Sequence, residues 1–224
     1  RLSEPSITRA MNVALLKARG DRVLYLESPS RFTGARYEQE ELAELAAFCR
    51  NRDMAIILDC GFHPWTEPPG GPKTGLEIDD RLLLIGEAWP GGELEGLYIG
   101  YILASADMVK RITTQKQVIS ICTSAPSQNA AIAVGGTYRD RHPEVVAEMS
   151  RKKSALEAVL IGMGVEALSG SAANVIVCRA SSSVRQKLEA AKAPYVEGRY
   201  FAAPEWIQLP VSERSLQALR TTLG

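Results

Sequence analysis

The sequence predicts an α/β fold of about four sheet strands flanked by helices, followed by a smaller α+β segment. A buried apolar run, an amphipathic helical stretch and a second buried run succeed one another early in the chain. Two more short strand patterns follow before Leu103. Helical spacing then dominates, until short strands and helices alternate near the C-terminus.

Taken in order, Ser6 to Arg19 has apolar spacing suited to a helix, which Gly20-Asp21 stops. Val23-Leu24-Tyr25-Leu26 reads as a short buried strand, and Ser28 to Gly34 as a loop with turn chemistry. From Tyr37 to Arg50, Leu42, Leu45, Ala46 and Cys49 share one helical face, with Glu38 and Glu40 at the positive N-terminal end. Met54 to Leu58 is a second buried strand that ends at Asp59. Strand, helix and strand in this order predict a right-handed parallel unit, in which ligands sit beyond the C-terminal strand ends.

The Pro/Gly-rich span Pro64 to Gly75 reads as an exposed loop. Strands are expected at Arg81 to Ile85 and Tyr98 to Leu103, separated by the glycine-rich Gly86 to Gly96. The helical patterns that follow break near Ser124-Ala125-Pro126. The longest runs from about Glu144 to Ile161, with His142 at its entry, and stops at Gly162 to Gly164. Strands at Asn174 to Cys178 and Trp206 to Leu209 each precede a helix, one near Val184 to Ala191 and one capped by Ser212. The expected division is residues 1–142 and 143–224.

Composition narrows the function. Of 224 residues, 46% are apolar, Lys plus Arg is 26 and Asp plus Glu is 26, so no basic excess points to nucleic acid or an anionic membrane. Cys49, Cys60, Cys122 and Cys178 form no CxxC pair, which fits buried thiols in a reducing compartment and predicts a cytoplasmic protein. No apolar run is long enough to span a membrane, and no signal-type segment precedes the first strand. A chain that opens on Arg1 is expected to be a processed product or part of a longer polypeptide.

Five motifs in order resemble those of the fold-type I (class I/II) aminotransferases. SPSRFTG is similar to the family's NPNNPTG, and ILDCGF stands where a strand ends in D-E-x-Y. GEAWPGGELEGLYIGY occupies the lysine segment, usually S-x-S-K followed by G-L-R-x-G-Y. TSAPSQNAA matches T-S-x-P-S-Q-x-A, and WIQLPV replaces an arginine-bearing strand. The resemblance covers nearly the whole chain but only the family's C-terminal half. It implies a partial large domain over residues 1–142 and a small C-terminal domain over 143–224.

A pyridoxal phosphate enzyme needs a lysine amine, a carboxylate on the pyridine nitrogen, donors to the ring oxygen, cations on the phosphate and usually an arginine for the substrate carboxylate. By this resemblance Asp59 keeps the carboxylate position. Arg31 replaces the asparagine, Phe62 the tyrosine, Trp89 or Pro90 the lysine, Tyr98 the phosphate-binding arginine and Gln208 the substrate arginine. The turn and packing residues Pro29, Thr33, Gly34, Gly96, Gly100, Tyr101, Pro126 and Gln128 are retained.

The expected function is therefore a non-catalytic aminotransferase-like scaffold, dimerisation or docking module, with no cofactor. A homodimer, a protein partner or a preceding domain would cover its sheet edge. The alternative is a pyridoxal phosphate-dependent aminotransferase whose missing residues come from another segment or chain. A third reading gives the emptied cleft of Asp59, Arg31, Phe62, Trp89 and Tyr98 a different small ligand.

Plainer readings stand beside several residues. Asp59 at a strand end can simply cap a turn. Cys60 with His63 suggests an activated thiol, against a buried cysteine and a loop histidine. Lys73 would be a substitute amine only from a mobile loop, and Gly91-Gly92 reads as a flexible connection rather than a phosphate cradle. Trp65, Trp89 and Trp206 read as core or rim packing.

Overall fold

A computed structural model describes residues 22–62, 74–88 and 99–221. The helix expected at Ser6 to Arg19 lies outside these residues, as do most of the Pro64 to Gly75 loop and Trp89 to Tyr98. Two compact units make up the chain. One contains the described residues up to Pro29 together with Tyr37–Pro143; the other contains Ser30–Arg36 and the residues from Glu144 on.

The first unit holds a four-stranded sheet in the order β1 (Val23–Glu27), β2 (Ala55–Cys60), β3 (Leu82–Glu87), β4 (Gly100–Leu103). β1, β2 and β3 run parallel, with Leu24 level with Ile56 and Ile56 level with Leu82. The parallel strand–helix–strand unit is present. β4 returns antiparallel along β3.

Burial follows the period of two. Leu24 and Leu26 turn inward while Val23 and Tyr25 are half-exposed, and in β2 Ile56, Leu58 and Cys60 are buried. Helix α1 (Gln39–Arg50) buries Leu42, Leu45, Ala46 and Cys49, the face its spacing predicted. Glu41 Oε2 accepts from the Glu38 amide at 2.7 Å and satisfies one free donor at the helix start.

After β4 come α2 (Ala106–Ile119), capped by Ser105, and α3 (Ala125–Gly162). The break falls at residues 120–124, beside the expected Ser124-Ala125-Pro126. The expected helix start at Glu144 is corrected: α3 runs unbroken through Pro143, and His142 is buried inside it with its ring tilted against Tyr138. An interior proline removes one backbone bond and costs about 3 kcal/mol. Buried Ala131 and Tyr138 before it, and Leu156 and Leu160 after it, anchor the helix and offset that loss. The division between the units falls within this helix, between Pro143 and Glu144. Gly164 ends it in the left-handed conformation (φ +66), where Val165 N donates to Leu160 O.

In the second unit, β5 (Val175–Arg179), β7 (Trp206–Pro210) and β6 (Val196–Glu197) form an antiparallel sheet in that order. Helices α4 (Ser182–Ala190) and α5 (Glu213–Arg220) accompany it, with a 3-10 turn at Gly198–Phe201. Ser212 caps α5 as expected, its Oγ accepting from Ser215 N at 3.1 Å. The core joins Leu156, Leu160, Ile176, Leu188, Ile207 and Leu209 around Cys178.

Burial pushes the Cys178 thiol from its ordinary 9.0 up to about 12, against a smaller opposing pull from Arg185. The unfolded chain loses this proton from about pH 9, and the native chain keeps it to about pH 12. Stability from this group is therefore complete below pH 9 and falls by about 1.4 kcal/mol per pH unit above it. Urea midpoints across that range should decline less steeply for Cys178→Ala than for the parent. Equal slopes would remove the thiol as the cause.

Candidate functional site

Two groups of sequence-predicted site residues can be built from the structure, one in each unit. In the first, Asp59 lies near the end of β2 and is buried. Its Oδ1 accepts from Gly61 N at 2.8 Å and its Oδ2 from the Tyr25 hydroxyl at 2.5 Å. The carboxylate thus closes the turn that leaves the strand and also ties β2 to β1. Tyr25 went unnoticed in the sequence, although a signal existed. It is level with Ile57, so alternation puts its side chain on the same sheet face as Asp59, two residues on.

Phe62 follows that turn and is half-buried. Cys60 is fully buried, pointing to packing rather than nucleophilic chemistry, while His63 lies outside the described residues. Tyr101 stands against Gly86, where an added Cβ would meet its ring. Burial first, then the neighbouring Cys60, raises the Tyr101 hydroxyl above its ordinary pKa. Trp89 and Tyr98, expected to line the same cleft, fall outside the described residues.

Removing either end of this part-buried bond tests its contribution. Tyr25→Phe and Asp59→Ala are each expected to lose about 1–2 kcal/mol. The double variant should lose less than their sum, because both delete one interaction. Strict additivity in denaturant titrations would show that the pair contributes nothing.

In the second unit the loop Ser30–Arg36 turns tightly on itself. Ser30 O accepts from Gly34 N at 2.8 Å, and Gly34 takes φ +67 with Ser171 packed where a Cβ would stand. Phe32 is buried with Val177, Ala203 and Trp206 and stacks on Phe201 at 4.5 Å. Of the core or rim packing expected for Trp206, the structure shows core packing; the Arg179 guanidinium lies 5.5 Å from its ring centroid. Gln208, on β7, is buried, and its Nε2 donates to Arg31 O at 2.5 Å and to Phe32 O at 2.6 Å. The structure therefore brings Arg31 and Gln208 together, through the backbone of one and the amide of the other. The Arg31 side chain itself is exposed.

Among the described residues no His, Cys, Asp and Glu group could hold a metal ion, and no helix is long and apolar enough to cross a membrane.

The fold is that of the fold-type I aminotransferases, over part of their length. It superimposes with a TM-score of 0.79 on an aspartate aminotransferase from Thermotoga maritima, at 20% identity over 94% of this chain and 58% of that one. An aromatic aminotransferase from Pyrococcus horikoshii gives 0.75, at 19% identity over 96% and 62%. In sequence, the chain is 26% identical over 210 residues to an aspartate aminotransferase of Bacillus subtilis, covering 84% of this chain and 52% of that protein. A probable N-acetyl-LL-diaminopimelate aminotransferase of the same organism is 26% identical over 156 residues, covering 68% and 39%. The chain thus spans about half or less of these curated relatives. No family model matches it.

Proposed function

We propose that this chain is the C-terminal part of an aminotransferase-type protein, and that within it these residues contribute architecture rather than catalytic groups. The similarity to named aminotransferases supports the first half of that reading. The observation that carries the second half is Gln208. At the position where the resemblance implies an arginine for a substrate carboxylate, both amide hydrogens serve carbonyls of the chain's own loop.

The described residues do not fit pyridoxal phosphate. Phe62 offers no hydroxyl to a ring oxygen, and the Gln208 amide is committed to the backbone. In the sequence, no lysine occurs between Lys73 and Lys110, the interval where the resemblance puts the amine. In this reading residues 1–142 are a large-domain remnant and 143–224 a small domain, and the protein works as a scaffold, dimerisation or docking module. Half-exposed Val23 and Tyr25 on β1 and Ile102 and Leu103 on β4, the outer strands among the described residues, support a covering partner, either a second copy or another protein. Val118, Ile119 and Ile121, each more than 80% exposed, support the same reading. Four free cysteines support a reducing, cytoplasmic setting.

A second reading, a pyridoxal phosphate-dependent aminotransferase completed by another segment or chain, is favoured by the names of both curated relatives. The buried carboxylate of Asp59 at its strand end also favours it. The two readings part on one experiment with the full-length protein. It is incubated with pyridoxal phosphate, its absorbance recorded, and then reduced with borohydride and mapped by mass spectrometry. The scaffold reading expects no Schiff-base band and no adduct concentrated on one lysine. A stoichiometric adduct on a single residue, with Lys73 and Lys110 the first to inspect, would establish the enzyme instead.

A further inference from the structure

We draw no further inference here: the strongest candidate, the cavity of about 250 Å³ between α1 and the N-terminal ends of β2 and β3, lined by Arg50, Arg81, Asp79 and Glu77 over buried Cys49 and Met54, has its two guanidinium groups already facing Asp79 and Asp53, and nothing in the structure points to the chemistry of an occupant.

Discussion

Gln208→Ala is expected to destabilise the second unit by about 2–4 kcal/mol, with little change at the Asp59 strand end. The wild-type amide satisfies the buried carbonyl of Phe32 and the part-buried carbonyl of Arg31. Alanine leaves both oxygens without that donor, and each unsatisfied buried group costs about 1–3 kcal/mol. A void where the side chain lay adds to the loss. Gln208→Glu should be at least as harmful, because a carboxylate has no hydrogen to donate and would face two carbonyl oxygens. Urea unfolding of both variants provides the check. A Gln208→Ala midpoint within error of the parent would mean that the amide is not what holds the loop, and would remove the observation on which the scaffold reading stands.

Gly198→Ala is expected to cost about 3 kcal/mol or more and to disturb the start of β7. An added Cβ would meet the carbonyl oxygens of Ala203 and Trp206 and come within 3.0 Å of the Trp206 carbonyl carbon. These are backbone atoms, and Ala203 O accepts from Trp206 N at 3.0 Å, so they cannot rotate aside as a side-chain end could. Gly136→Ala provides the opposite sign. That glycine lies within α3 with nothing within 4 Å of its missing Cβ. Alanine there should stabilise by about 0.5–1 kcal/mol by reducing the freedom of the unfolded chain. Thermal melts of the two variants should move in opposite directions; a shared direction would contradict the packing at one of the sites.

Much of the architecture could be read from the residues because the signals are local. The alternation in Val23–Glu27 and Ala55–Cys60 and the stripe of Leu42, Leu45, Ala46 and Cys49 each follow from a backbone period. The Ser212 cap and the Gly164 stop follow equally from short-range hydrogen bonding and backbone freedom. Ser105 and Ser181 cap α2 and α4 by the same chemistry and were equally within reach of the sequence.

The candidate site was legible only as a set of positions. Arg31, Asp59, Phe62 and Gln208 could be picked out because recognisable motifs frame them, but their hydrogen-bond partners could not. The Gln208 amide reaches back 177 residues to Arg31, and Asp59 meets Tyr25 across 34. No local period encodes such distances.

By itself, the sequence determined every strand of the described residues (the two-residue β6 excepted), the helix faces, the resemblance that names the fold, and the residue types standing at each site position. Those depend on side-chain spacing and chemistry within a few residues. Only the tertiary structure decided that α3 passes through Pro143, that β4 runs antiparallel, and that Ser30–Arg36 joins the unit of β5–β7. It alone also decided that the amide of Gln208 and the carboxylate of Asp59 are engaged within the chain. Local preferences differ by only a few kcal/mol, and burial of distant apolar groups against one another is large enough to override them.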